Sequence, residues 1–238
     1  MEPKYKQILE TIKKQIIDGK YPAGSMIPDQ NTLARDFKTS RMTVKKALDM
    51  LAIEGFIYSK RGAGTFVKKN ALAQKDALPV DSYGGLSSQF SKARVKSEPI
   101  VFDVTFPTSE IKERLELKQN EPVYEILRLR FVDDEPYALE HTFMPISLVP
   151  NLSQEVLFGS IYAYLTKEIH LEIGGAFRKI SAEKASKNDI KYLASAETDP
   201  ILQVEQVVYL QDGRPFEYSI SRHPYNGKHA YTIFDRKN

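Results

Sequence analysis

Apolar residues Tyr5, Ile8, Leu9, Ile12 and Ile16 recur at helical spacing, so residues 4–18 are predicted to form an amphipathic α-helix. Gly19 stands where a helix C-cap would, and Tyr21-Pro22-Ala23-Gly24 reads as a turn. Asp29 can cap a short second helix that buries Leu33, Ala34 and Phe37. Lys38-Thr39 makes a tight connection to a third helix, capped by Ser40, with Val44, Ala47, Leu48 and Leu51 on its inner face. Two short helices joined this way predict a helix-turn-helix. Past Gly55, the runs Phe56-Ile57-Tyr58-Ser59 and Thr65-Phe66-Val67 are predicted strands on either side of Lys60-Arg61-Gly62-Ala63-Gly64.

Residues 70–85 show neither helical nor strand period and read as a linker between residues 1–69 and 86–238. Beyond it the pattern changes to strands and turns, and it repeats weakly. The first copy is a strand at 101–106, a short helix with Ile111, Leu115 and Leu117, then strands at 123–132 and 137–144 around Asp133-Asp134 and Pro136. The second is a strand at 177–182, a short helix with Ile190 and Leu193, then strands at 201–210 and 216–222 around Asp212-Gly213 and Pro215. Between them, residues 160–170 carry Ile161, Tyr162, Leu165 and Ile169 at helical spacing. Two such units can share one antiparallel sheet with helices packed outside, so the fold class is α+β.

Composition narrows the function classes. There is no cysteine, which excludes disulfides, thiolate metal sites and cysteine nucleophiles and fits a reducing cytoplasm. No apolar run reaches the length of a membrane span, and the start of the chain lacks the apolar core of a signal peptide. His141, His170, His223 and His229 lack metal-ligand spacing, so neither a metal nor another cofactor is expected. The net charge of +3 hides an asymmetry: residues 1–69 hold 14 Lys and Arg against 7 Asp and Glu, leaving 20 against 24 for the remainder. A basic front joined to a mildly acidic rear directs a polyanion to the first part.

In a helix-turn-helix the first turn of the second helix enters the major groove. Here that turn carries Ser40, Arg41 and Thr43, followed by Lys45 and Lys46. Arg41 can form a bidentate fork to guanine, and the lysines suit phosphates. Arg61, Gly62 and Gly64 form a wing, whose glycines let backbone come close to DNA. These words, from Tyr5 to Val67, resemble the DNA-binding domain of the GntR family: Tyr21-Pro22-Ala23-Gly24, Ile27-Pro28, Leu33-Ala34, Ser40 to Leu48, Glu54-Gly55 and Gly62 to Val67. Asn31 departs from the arginine usual in the family; it can read an adenine edge or stand as a solvated helix residue.

The rear part resembles the UTRA effector domain of the HutC subgroup, whose fold is like that of chorismate lyase. Its words are Leu127-Arg128-Leu129-Arg130, Pro136-Tyr137 with Glu140, Gly159-Ser160-Ile161-Tyr162, Pro215 to Ser219, and Tyr225-Asn226-Gly227. Lys228 and His229 stand where the family often has arginine and aspartate. Arg128 and Arg130, two apart in a strand, share one face with Tyr124 and Ile126, a pattern that suits phosphate or an exposed face of surface ion pairs. Ser88, Ser91 and Ser160 can add hydroxyls, and Ser160 opens a helix. Glu140 and Glu217 can hold sugar hydroxyls, with Tyr162, Tyr218 and Tyr225 as ring contacts or as ordinary core residues. The resemblance implies a homodimeric repressor on palindromic operator DNA, released by a phosphorylated sugar. Other HutC members answer to non-sugar metabolites, and an activator is the other regulatory reading. Glu140 and Glu217 could also pair as a glycosidase centre, but no catalytic histidine, cysteine or metal motif accompanies them, so no enzyme is expected.

Overall fold

The computed structural model describes residues 3–69, 71, 78–79, 86, 90, 95–118, 120–226 and 231–232. The chain divides into two compact units, Met1–Val80 with Tyr231–Asn238, and Asp81–Ala230. The division falls within the stretch read as a linker, and the last residues group with the first unit. There, strand β4 (Leu78–Pro79) pairs in parallel with strand β11 (Tyr231–Thr232).

The first unit is built from α1 (Lys4–Ile17), β1 (Met26–Ile27), α2 (Gln30–Asp36), α3 (Arg41–Ile53), β2 (Ile57–Lys60) and β3 (Gly64–Val67). The predicted apolar stripes form its core: Ile8, Leu9, Ile12 and Ile16 meet Leu33, Val44, Ala47, Leu48, Leu51, Phe56 and Val67. Two caps set the helix starts. Asp29 accepts from the backbone N–H of Asn31 (2.8 Å) and Thr32 (3.1 Å), and Ser40 Oγ accepts from Thr43 N–H at 3.2 Å. Each cap satisfies amide groups that the first helical turn leaves without partners. The three strands pair antiparallel in the order β1-β3-β2. Gly64, at φ +119°, has a backbone conformation that L side chains rarely adopt.

The second unit is one antiparallel six-stranded sheet in the order β5-β6-β7-β10-β9-β8. Its strands are β5 (Val95–Thr105), β6 (Val123–Val132), β7 (Glu135–Pro145), β8 (Ile173–Lys184), β9 (Pro200–Leu210) and β10 (Pro215–Pro224). The order makes the internal repeat physical: each copy contributes an edge strand and a hairpin, and β7 and β10 join the copies at the centre. Both hairpins carry a β-bulge at the aromatic residue after proline, Tyr137 in one and Phe216 in the other. Both edge strands are bulged as well, at Ile100 and at Gly174. Bulges bend and twist the strand that holds them. At Gly174 a side chain is excluded, since a Cβ would sit 2.6 Å from the Leu210 carbonyl.

Helices α4 (Ser109–Arg114) and α7 (Lys187–Leu193) lie on one face of the sheet, over Val123, Phe143 and Val207 and over Leu129 and Leu139. The other face buries Tyr124, Ile126, Met144, Val208 and Phe216 beneath a cover from residues 149–165, which includes α5 (Gln154–Phe158) and α6 (Ile161–Ala163). The helix predicted over 160–170 is broken: α6 runs into a π-helical turn, Tyr164–Glu168. Among the described residues, no helix is long and apolar enough to cross a membrane.

Two buried polar groups add to these apolar layers. Asp189, fully buried, completes a capping box with Ser186 and accepts from Arg222 Nε at 3.0 Å. His223 lies edge-on to the Tyr137 ring, with burial pushing its pKa down to about 4. The unfolded chain therefore binds a proton that the folded chain refuses between pH 6.5 and 4, and stability falls as pH falls through that window. We expect acidification from pH 7 to 5 to cost about 2 kcal/mol through this residue alone. Urea unfolding of the wild type and of His223→Gln at both pH values measures it; an unchanged pH dependence in the variant would rule the assignment out.

Candidate functional site

The first unit exposes the residues singled out for DNA. Arg41, Lys45 and Lys46 are exposed on α3, outside its buried stripe, and Asn31 is exposed on α2. Thr43 is half-buried, and its hydroxyl lies 2.9 Å from Ser40 Oγ, so both hydroxyls belong to the helix cap. Arg41 Nε donates to Gln30 Oε1 at 3.1 Å. The ammonium of Lys46 stands 4.1 Å from the centre of the Tyr5 ring, a cation–π contact that ties it to α1. Arg61, Gly62 and Gly64 are exposed at the tip of the β2–β3 hairpin, where Ala63 N–H bonds to the Lys60 carbonyl at 3.0 Å and Gly62 has φ +74°. The arrangement is a basic helix beside a basic hairpin.

The second candidate site lies on the covered face of the sheet. Arg128 and Arg130 share that face with Tyr124 and Ile126, and they are only 5% and 3% exposed. The alternative of an exposed face with surface ion pairs is thereby excluded. Arg128 stands opposite Glu140 in the β6–β7 register. Glu140 Oε2 accepts from Arg128 Nη2 and from Arg130 Nη1, both at 2.8 Å. Burial alone would raise the Glu140 pKa, but the charges and hydrogen bonds of Arg130 and Arg128 outweigh it and hold the carboxyl at about 2. Burial also lowers the Arg128 pKa. Arg128 Nη1 donates to the carbonyls of Leu157 (3.2 Å) and Gly159 (3.3 Å), which ties the cover to the sheet. Among the described residues, the buried Nε of each arginine has no hydrogen-bond partner.

A second cluster comes from the other repeat. Glu217, buried on β10, accepts from Tyr162 OH at 2.8 Å, from Ser219 Oγ at 2.7 Å and from Gln206 Nε2 at 2.9 Å. Burial pushes its carboxyl pKa up against those hydrogen bonds, and the Glu140 charge adds to the rise. Burial and the Glu217 charge likewise push the Tyr162 phenol well above its usual value. Gln206 in turn accepts from Arg178 Nε at 2.8 Å. Thr142, Ser219, Gln206 and Arg178 stand opposite one another across β7, β10, β9 and β8.

The structure thus gathers Arg128, Arg130, Glu140, Glu217 and Tyr162 beneath one cover, and it separates others. Tyr218 projects to the opposite face, where it packs with Phe143 and Val207, because neighbours along a strand alternate sides. It is therefore not a ring contact in this site. Tyr225 is 76% exposed at the end of β10. Ser160 Oγ accepts from Ala163 N–H at 3.1 Å and caps α6, so its hydroxyl serves the helix. Ser88 and Ser91 lie outside the described residues, as do Gly227, Lys228 and His229. Sequence reading missed Gln206, Ser219, Thr142 and Arg178; Ser219 and Thr142 follow from the alternation of strand faces beside Glu217 and Glu140, whereas only the register of strands distant in sequence brings in Gln206 and Arg178. Among the described residues, no cluster of three His, Asp or Glu side chains could hold a metal ion.

Comparison with known proteins gives the family. The model of the bacterial regulatory proteins of the gntR family matches residues 4–67, and that of the UTRA domain matches residues 91–227. The chain is 44% identical over 222 residues to the HTH-type transcriptional regulator GmuR of Bacillus subtilis (strain 168), spanning 92% of this chain and 93% of GmuR. It is 30% identical over 218 residues to the mannosyl-D-glycerate transport/metabolism system repressor MngR of Escherichia coli (strain K12), spanning 92% and 90%. The crystal structure of the possible transcriptional regulator YydK from Bacillus subtilis subsp. subtilis str. 168 matches with a TM-score of 0.81 at 27% identity, over 98% of this chain and 99% of that one. Regulators of this family act by binding DNA and not by catalysis. The chain belongs to the GntR family of bacterial regulatory proteins, with the HutC-type pairing of a helix-turn-helix domain and a UTRA domain.

Proposed function

We propose that this regulator is a cytoplasmic repressor of a carbohydrate uptake or catabolism operon, and that a phosphorylated sugar releases it from its operator. The observation that carries the ligand class is the pair of buried guanidiniums beneath the cover. The two share one carboxylate oxygen, and among the described residues the buried Nε–H of each has no hydrogen-bond partner. Buried guanidiniums need acceptors for their N–H groups, and a phosphate supplies them. Glu140 and Glu217, with Gln206 and Ser219, offer acceptors and donors for the hydroxyls of a sugar attached to it. The repressor role of MngR in a sugar-derivative system supports the same reading.

On the DNA side, Arg41 forks onto a guanine of each half-site, while Lys45, Lys46 and Arg61 neutralise phosphates. A homodimer places two such helices on a palindrome with half-sites about one turn apart. An effector releases DNA only by favouring a dimer whose two recognition helices no longer fit that spacing. Ser88 and Ser91, near the start of the second unit in sequence, join the phosphate donors in this reading.

Three measurements test it. Titration with hexose phosphates, the unphosphorylated sugars and inorganic phosphate should raise the thermal midpoint only for the phosphosugar that also weakens operator binding. A panel without effect on either quantity removes the ligand class. Arg128→Ala should bind operator as the wild type does and fail to respond to that phosphosugar, with affinity for it reduced roughly 100-fold. Arg41→Ala should keep its thermal midpoint and lose discrimination between operator and random duplex by about tenfold or more. Normal induction in the first variant, or retained operator preference in the second, contradicts the assignment.

A further inference from the structure

We propose that Gln30 is a positioning residue for base recognition: its side-chain carbonyl holds Arg41 by Nε and leaves the outer edge of the guanidinium to read guanine. The proposal rests on the groove placement of Arg41 given above. Gln30 and Arg41 are the first residues of α2 and α3, the two helices of the helix-turn-helix. Arg41 Nε–H donates to Gln30 Oε1 at 3.1 Å. Gln30 is half-buried and Arg41 is exposed, so the bond runs from the body of the unit out to its surface.

Both ends of this bond start from fixed backbone. Asp29 Oδ1 takes two amide N–H groups of α2, and Asp29 Oδ2 takes Thr32 Oγ1–H at 2.8 Å. Ser40 Oγ takes the Thr43 amide at the start of α3. An arginine side chain has many rotamers, and most of them do not point at a given base. A bond at Nε removes most of that freedom before DNA arrives.

The choice of nitrogen also selects the reading edge. A guanidinium can offer two parallel donors along its Nε–Nη side or along its Nη1–Nη2 end. With Nε taken by Gln30, the end-on pair remains, and two parallel donors match guanine O6 and N7. Gln30 does this without charge. Arg41 keeps its full positive charge toward DNA, and no carboxylate is added to face the phosphates. Because Asn31 leaves this chain without the second arginine usual in the family, the geometry of Arg41 bears more of the discrimination here.

Selection from a randomised duplex library with the full-length protein tests this and needs no operator sequence in advance. The wild type should enrich a motif with a guanine that Arg41→Ala no longer selects. Gln30→Ala should lose about tenfold of the preference at that same guanine, keep the other positions, and bind random duplex within about twofold of wild type. Gln30→Glu, which retains the acceptor, should keep the guanine and bind all duplexes more weakly through repulsion from phosphates. Gln30→Ala enriching the guanine as strongly as wild type would overturn the proposal, as would loss of a different position, which would make Gln30 itself a base reader. A wild type that enriches no motif defeats the operator reading beneath it, a result distinct from either. Thermal melting of both variants confirms that the helix-turn-helix is intact.

Discussion

The second unit is organised around one oxygen atom. Glu140 Oε2 accepts from two buried guanidiniums at 2.8 Å each, and the charges of those guanidiniums hold the carboxyl at about 2. Burial of two cations against one anion is unfavourable unless geometry and further hydrogen bonds compensate. The sheet register supplies the geometry by setting Arg128 opposite Glu140, and the cover supplies the bonds through the carbonyls of Leu157 and Gly159.

The duplicated architecture explains how this polar cluster is assembled. Each copy of strand, helix and hairpin brings its own bulge, at Tyr137 and at Phe216, and the two hairpins meet along β7 and β10. The first copy gives the arginines and Glu140. The second gives Glu217, Ser219, Gln206 and Arg178. The connection between the copies folds over the junction and adds Tyr162. The cover is held by Arg128 at one point and by Glu217 at another, and so bonds to both repeats.

The first unit follows a different logic. It is a small core of aliphatic side chains with its polar chemistry on the outside, and its precision comes from the ends of its helices. Asp29 and Ser40 fix where α2 and α3 begin, and those are the turns that carry Gln30, Asn31, Arg41 and Thr43. Contacts to phosphates tolerate loose side chains, whereas contacts to base edges do not. Arg41 stands in a capped first turn and is bonded to Gln30, an arrangement that suits the stricter demand.

Much of this was legible along the chain. Helix starts at Asp29 and Ser40, the basic hairpin, the strand pattern of both repeats and the shared face of Arg128 and Arg130 all follow from local spacing and capping chemistry. Those are interactions between residues close in sequence, so a linear reading can find them. The cross-strand neighbours of Glu217 could not be read this way: Gln206, and Arg178 bonded to it, come near only through the pairing of β8, β9 and β10. Nor could the break in the helix at 164–168, or the pairing of Leu78–Pro79 with Tyr231–Thr232. The sequence by itself determined the elements, their amphipathic faces and the chemistry that each face carries. Tertiary structure alone decided burial and cross-strand neighbours, and so turned two arginines on a strand into a desolvated cationic pair, because the dielectric around a charge depends on what packs over it and not on what precedes it in the chain.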